Sequence, residues 1–253
     1  MADHHLKALR QFEFRALSPH LPAASKKILE VGAGNGWQSQ LLKANGHDVV
    51  AMDVVDFADA DTGVRVVVYD GRHFPFANRS FDIVYTSHVV DHVPDMAEFS
   101  AEVHRVLKPG GQWVVVVPTT AWRMWTLLGL YLRFPAAARS KFLRARERAA
   151  TRAQINPDSP TSARRTSLWQ SVAPPIGERG SAFSEIVLFA HQKRLTYFAQ
   201  AGWTVVRHQA LRIYYSGARL LGDRLPLPIR QSLGQLLGDS SRVYFLQKPD
   251  ASV

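Results

Sequence analysis

The sequence has no cysteine. Disulfides, cysteine-bound zinc, iron–sulfur clusters and a thiol nucleophile are therefore excluded. Long apolar runs are missing too, since nothing approaches the roughly 18 uncharged apolar residues of a membrane-spanning helix. The opening stretch, MADHHLKALRQFEF, is too polar for the apolar segment of a secretory leader. These absences make a cytoplasmic protein the expectation. No spaced set of carboxylates and histidines argues for a metal ion, and neither an internal repeat nor a recognisable RNA-binding module is visible.

The composition that remains is ordinary for a folded protein. The 253 residues are 46% hydrophobic and 21% charged, enough for one large domain spanning 1–253. The charge is uneven. Residues 121–180 hold eleven of the 31 basic side chains against three acidic ones, so this segment carries +8 of the net +10. The excess is a local patch on a nearly neutral chain.

Up to residue 120, strands and helices alternate. Strands are expected at 27–31, 48–53, 64–69, 81–85 and 112–117, with helices at 37–45 and from Pro94 to about Leu107. Valine-rich strands without polar alternation, separated by helices, describe a parallel sheet covered on both faces. Lys108-Pro-Gly-Gly111 turns the chain into the fifth strand. The pattern breaks at Pro118. Residues 122–134 are strongly apolar, 136–154 read as an arginine-rich helix, and 155–182 as a long loop. A helix is expected at 185–201, stopped by Gly202, and strands at 203–208 and 242–247. Between those strands lies the apolar, Pro/Gly-broken stretch 216–240. The core segments are thus 26–118 and 183–248, with insertions at 119–182 and 214–240.

The chemistry begins at Glu30-Val-Gly32-Ala-Gly34-Asn-Gly36, between a strand and a helix. Glycines there let backbone N–H groups approach a ligand at the carboxyl end of the sheet. A dinucleotide fingerprint would need glycine at position 37, where Trp37 stands. An acidic residue before the loop opposes a pyrophosphate and suits a cationic amine. Asp53, ending the second strand, is placed to accept hydrogen bonds from both hydroxyls of a ribose. The implied ligand is a nucleoside with a cationic amine and no pyrophosphate, although glycines alone would serve a tight turn equally well.

The stretches ILEVGAGNG, VVAMDV, YDGRHFPFANRSFDIVYTSHVVDHVPD and EVHRVLKPGGQWVVVVP stand in order over about 95 residues. In them the chain resembles the class I S-adenosylmethionine-dependent methyltransferases, in particular the small-molecule group that includes the quinone-biosynthesis enzymes. The resemblance implies a Rossmann-like, doubly wound α/β sheet of seven strands with the last antiparallel, and S-adenosyl-L-methionine as cofactor. Carried over by position, Glu30 and the Gly32/Gly34/Gly36 loop would hold the methionine end. Asp53 would take the ribose and Asp70 the adenine amino group, beside Gly71 and Arg72, with helix capping as the simpler role for Asp70. Ser87 and His88 would line the sulfonium pocket. Asp91 departs from the Glu that many relatives carry before His92.

An oxygen acceptor needs a base to remove its proton. His92, followed by His88, is the expected one, with His191, His208, Tyr131, Tyr214 and Tyr215 behind them; any of these could equally be a packing residue. In this family the insertion after the fifth strand usually builds the substrate lid, so Trp122, Trp125, Tyr131 and Tyr214 are expected at the acceptor. Trp, Tyr and Arg flanking leucines suit a greasy pocket or a membrane interface as well as packing on the domain. The basic run after them could meet anionic lipid or simply be solvated. The expectation is a methyltransferase for a small hydrophobic or lipid-linked acceptor, cytoplasmic and peripheral at an anionic membrane surface. RNA methylation through the basic insertion, and cofactor binding without catalysis, are the alternatives; Thr86-Ser-His-Val89 stands where an N-P-P-Y-type tetrapeptide would favour methylation of base amino groups.

Overall fold

Seven strands rich in Val, Ile and Leu pair into one sheet: β1 (Lys27–Val31), β2 (Asp48–Asp53), β3 (Val66–Val68), β4 (Phe81–Ser87), β5 (Leu107–Pro118), β6 (Thr204–Ala210) and β7 (Ser241–Gln247). In this computed structural model the described residues are 2–55, 62–130, 132, 184–215 and 225–248, with side chains described from residue 7 onward. The strand order is β3-β2-β1-β4-β5-β7-β6. Strands β1 to β5 run parallel, and β7 is antiparallel to both β5 and β6. This is the doubly wound seven-stranded α/β sheet expected from the resemblance.

The valine runs follow from burial on two faces. Neighbouring residues in a strand point to opposite sides. Leu29, Val84 and Val115 meet Phe99 and Val103 of α3 (Met96–Val106) and Phe198 of the helix His191–Gln200. Their neighbours Ile28, Ile83 and Val114 meet Phe14 and Leu17 of α1 (Ala2–Leu17) and Leu42 of α2 (Trp37–Ala44). Each such buried side chain contributes roughly 1.5–3 kcal/mol, so the two apolar layers dominate the fold. The polar ends of two buried indoles are satisfied: Trp113 Nε1 donates to Thr86 Oγ1 at 3.0 Å and Trp203 Nε1 to Ser100 Oγ at 2.6 Å.

Several elements differ from the sequence reading. The polar N-terminus forms α1, whose inner face carries Leu9, Glu13, Phe14 and Leu17, all buried. The third strand is shorter than expected, and the Lys108–Gly111 turn is an excursion in β5, where Phe81 pairs with Leu107 but Ile83 with Gln112. After β5 comes α4, residues 120–130. The helix expected at 185–201 is broken into α5 (Ser184–Leu188) and α6 (His191–Gln200) by Ala190 in extended conformation. Nine residues apart on one helix, Glu185 and Arg194 would face opposite sides. The break lets both turn inward, Glu185 to Arg123 at 2.8 Å and Arg194 to Asp91 at 2.5 Å. The stretch read as Pro/Gly-broken contains a regular helix, α7 (Leu227–Leu237). Its Pro228 sits in the first turn, where no N–H is needed. Gly234 lies where a Cβ would come within 2.9 Å of the Ile213 backbone, so that glycine permits close packing instead of breaking the helix.

Tyr131, the arginine-rich helix expected at 136–154 and the loop 155–182 lie outside the described residues, as do 216–224. Among the described residues no helix is long and apolar enough to cross a membrane.

The Asp91–Arg194 pair is almost wholly buried, and Asp91 Oδ2 and Arg194 Nε have no hydrogen-bond partner among the described residues. Removing one partner strands a charge, whereas removing both does not. Arg194→Leu should therefore destabilise the fold by about 3 kcal/mol, and Asp91→Leu combined with Arg194→Leu by less, as read by urea denaturation.

Candidate functional site

Strand order reverses at the β1–β4 boundary, the place where open α/β sheets bind ligands beyond the carboxyl ends of their strands. A cavity of about 680 Å³ opens there. Its wall takes Gly32 from the end of β1, Asp53 from β2, Asp70 and Gly71 beyond β3, and Ser87 and His88 from the end of β4. His92, in the 3-10 turn Val90–His92, and Arg72 complete the polar lining, with Asp95 and Glu98 at the start of α3. Four carboxylates face one arginine. That balance favours a cationic ligand and opposes a pyrophosphate.

The loop after β1 is shaped by close approach. The N–H groups of Gly32 and Ala33 both donate to Met52 O, at 2.8 and 3.0 Å, tying the loop to β2. Gly32 has φ +76°, and a Cβ there would collide with Val89. Gly34, φ +55°, has nothing within 4 Å of a would-be Cβ, and its N–H donates to Asp53 Oδ2 at 2.7 Å. The open space over Gly34 and the carboxylate beneath it form a cradle that any side chain would intrude upon. Asp53 Oδ1 accepts the N–H of Val54 at 2.7 Å, which fixes the carboxylate.

Asp70 is the half-exposed cap of its turn. Oδ1 accepts N–H bonds from Arg72 and His73 at 2.8 and 2.7 Å, and Oδ2 lies 3.1 Å from His73 Nδ1. The His73 and Arg72 N–H groups bring its pKa down to about 2. It thus combines the capping role with a place in the cavity wall. Tyr69, not singled out in the sequence, also lines the wall; burial, with Asp53 and Asp70 beside it, raises its pKa to about 12.

Not every expected residue reaches the cavity. Gly34 and Gly36 form the loop but not the wall, and Glu30 is buried behind it, accepting a hydrogen bond from Ser39 Oγ of α2. Burial, reinforced by the Asp53 charge, pushes the Glu30 pKa up to about 8. Trp125 Nε1 donates to Leu237 O at 3.0 Å and its ring meets Tyr214 edge-on at 5.8 Å. Trp122 lies against Tyr215 and Phe189. None of these three expected acceptor residues lines the cavity; they join α4 to α7 and the β6–β7 connection. His191 and His208 pair with each other and Tyr244 under a separate, smaller cavity.

His88 is where the structure adds most. It is a non-glycine residue at φ +58°, held by its N–H on Val116 O at 2.8 Å. Its Nε2 is in hydrogen-bond contact with Arg10 Nη1 of α1, and the same nitrogen of Arg10 donates to Glu13 Oε2 at 2.6 Å. Sequence reasoning missed Arg10 and Glu13. The available signal was a carboxylate on the apolar face of a helix, between Leu9 and Leu17.

Comparison with known proteins agrees with this geometry. Residues 29–115 match the methyltransferase domain family model. A malonyl-[acyl-carrier protein] O-methyltransferase of Erwinia pyrifoliae is 32% identical over 115 residues, 44% of each chain. A demethylmenaquinone methyltransferase of Clavibacter sepedonicus is 35% identical over 105 residues, 37% of this chain and 42% of the relative. The chain thus spans less than half the length of the curated relatives it matches. The crystal structure of an S-adenosylmethionine-dependent methyltransferase from Mesorhizobium loti aligns with TM-score 0.53 at 15% identity, over 94% of this chain and 98% of the other.

The Glu30 shift has a testable consequence. A carboxyl whose folded pKa exceeds its unfolded one costs stability progressively as pH rises between the two values, here from about 4.5 to about 8. The melting temperature should therefore fall across that window more steeply in the ligand-free protein than in Glu30→Gln; equal slopes would remove Glu30 as the cause. With this strand order and this matched segment, residues 29–115 are similar to the methyltransferase domain family, and the fold around them is the one seen in S-adenosylmethionine-dependent methyltransferases.

Proposed function

We propose that the cavity binds S-adenosylmethionine and that the protein transfers its methyl group to a small, hydrophobic or lipid-linked acceptor. The observation that carries the reading is the carboxylate-lined cavity at the β1–β4 reversal, with Asp53 in its wall held by the Gly34 N–H. When bound, the cofactor supplies an electrophilic sulfonium methyl group. Asp53 accepts hydrogen bonds from the ribose, and Asp70 with Gly71 and Arg72 meets the adenine. Gly32 and the Gly34 loop leave room for the methionine end. Glu30 lies behind that loop with its pKa raised by burial, and the positive charge of a bound ammonium nearby would favour its ionised form. Ser87 and His88 close the wall near the methyl.

The protein's contribution to the chemistry is alignment and exclusion of water. Where the acceptor is a hydroxyl, His92 is the exposed wall imidazole that takes its proton. A hydrophobic acceptor is supported by α4 and the residue beyond it. Met124, Leu128 and Leu132, four residues apart, are 54%, 43% and 62% exposed and form one stripe. The named activity of the Clavibacter relative toward a quinone precursor is in keeping with such an acceptor, and that of the Erwinia relative widens the class to a carrier-bound acid. The stripe and the adjacent basic segment also favour an anionic membrane surface as the place of work.

Calorimetry with S-adenosylmethionine tests the site. Asp53→Ala should weaken binding at least about tenfold while leaving the circular dichroism spectrum unchanged, as expected for loss of a charge-assisted hydrogen bond; retained affinity would overturn the assignment. Transfer of labelled methyl into a lysate, followed by phase partition, tests the acceptor. Label in the organic phase is expected. Label in RNA or in the aqueous pool would discard the hydrophobic acceptor but keep the enzyme. His92→Ala should lower turnover by about 10²-fold if an acceptor proton is removed there.

A further inference from the structure

The buried cluster on α1 is not accounted for by cofactor binding. Glu13 is 2% exposed, on a helix face that otherwise carries Leu9, Phe14 and Leu17. Its carboxylate is fully used. Oε2 accepts from Arg10, Oε1 accepts from Tyr215 Oη at 3.0 Å, and Oε1 accepts also from Ser241 Oγ at the start of β7. Arg10 Nη1 lies a further 3.4 Å from Tyr215 Oη. Four segments of the fold thus meet at Glu13: α1, the chain after β6, β7 and, through Arg10, the end of β4. A carboxylate is costly to bury unless it is paired and hydrogen-bonded. Here the pairing has a direction, because Arg10 ends on an imidazole that lines the cavity.

A guanidinium only donates hydrogen bonds. Glu13 Oε2 also lies 3.6 Å from His88 Nε2, beyond hydrogen-bond reach, so the close partner of that nitrogen is Arg10, whose donor calls for a lone pair on Nε2 and leaves the ring proton on Nδ1. No described residue hydrogen-bonds Nδ1, while the ring forms part of the cavity wall. We propose that Arg10, fixed by Glu13, locks His88 as the neutral Nδ1–H tautomer, making it a hydrogen-bond donor to an acceptor oxygen in the cavity and not a base. Arg10 and Glu13 are then positioning residues supplied by the N-terminal helix. The acceptor class this selects is one presenting a lone-pair oxygen, a carbonyl, carboxylate or phenolate, beside the reacting centre. The role in catalysis rests on the cofactor reading above; the tautomer does not.

The charged and titratable groups facing His88 are consistent with this. Burial first, and the Arg10 charge second, hold its pKa below the ordinary value, against opposing contributions from Glu13 and from Asp91 of the neighbouring turn. Glu13 itself is desolvated, yet the charge of Arg10 and its hydrogen bonds keep it well below the usual carboxylate range. Tyr215 is held protonated, mainly by burial and then by Glu13. Burial and the neighbouring cation both favour the neutral imidazole.

Long-range nitrogen–proton correlation spectra of the imidazoles test the tautomer in the ligand-free, full-length protein, with His88 assigned by its loss in His88→Gln. The expected pattern is a protonated Nδ1 and an unprotonated Nε2 from pH 8 down to pH 6. An Nε2–H tautomer, or titration at the ordinary value near 6.5, would overturn the proposal. In Arg10→Leu, with the cation gone and Glu13 still present, the His88 pKa should rise; an unchanged value would count against the lock. If that variant does not fold, the wild-type spectrum still decides.

Turnover separates donor from base. Asparagine tolerates the left-handed conformation at this position, and its amide N–H stands in for Nδ1–H. His88→Asn should keep activity within about tenfold, and His88→Leu should lose about 10- to 100-fold, the range for a hydrogen bond to a charged group. Equal losses in the two variants would remove the donor role. Failure of S-adenosylmethionine to bind at all would instead fail the cofactor reading and leave the tautomer measurement standing.

Discussion

The reversal of strand order between β1 and β4 is the constraint on which the rest of the molecule depends. Strands β1, β4 and β5 are buried on both faces, so their side chains are spent on the two apolar layers. A polar ligand can meet the chain only where the strands end. The connections leave β1 and β4 toward opposite sides of the sheet, and loops from several strands face a common volume in the gap between them. Gly32, Asp53, Asp70 and His88 come together there because each stands at or just beyond the carboxyl end of its strand.

Buried charge follows the same geography. Glu13, Glu30, Asp53, Arg123, Glu185 and Arg194 are all buried, and all lie around the carboxyl side of the sheet or on helices packed there. A hydrophobic replacement of similar volume would often be no less stable than a buried ion pair. These pairs are therefore better understood as fixing geometry: Arg194 holds the turn that carries His92, and Arg10 holds His88. Arg230 is the contrasting case, since it donates to the backbone carbonyls of Leu225 and Tyr214.

Legibility in the sequence tracked how local the determining physics was. The strand–glycine–helix unit at 27–44 was readable because one short segment contains both the periodicity and the glycines of the loop. Both ends of α3 were nearly right, since Asp95 caps Ala97 and Glu98 with its own side chain. The failures involved partners distant in sequence. The break between α5 and α6 answers to Arg123 and Asp91, which the local pattern of 185–201 does not contain. The helix α7 was obscured by prolines and a glycine whose roles are set by the first turn and by Ile213. Trp122 and Trp125 were expected at the acceptor from the lid that the resemblance implies, and their ring partners Tyr214, Tyr215 and Phe189 come from other segments of the chain.

The same argument explains why α1 was invisible as part of the site. Its composition is polar, and the meaning of Arg10 and Glu13 depends on residues 78 and 202 or more positions away, His88, Tyr215 and Ser241. Yet the helix carried a mark that local reading can use in other chains. Leu9, Phe14 and Leu17 define an inward face, and Glu13 lies within it. A carboxylate at such a position must find a cation and further donors or lose its charge. In this fold, Arg10 is the cation one turn earlier on the same helix, and its remaining hydrogen-bonding capacity points to the end of β4. A charge buried to stabilise a helix alone would end in that helix; this one ends on the wall of the cavity.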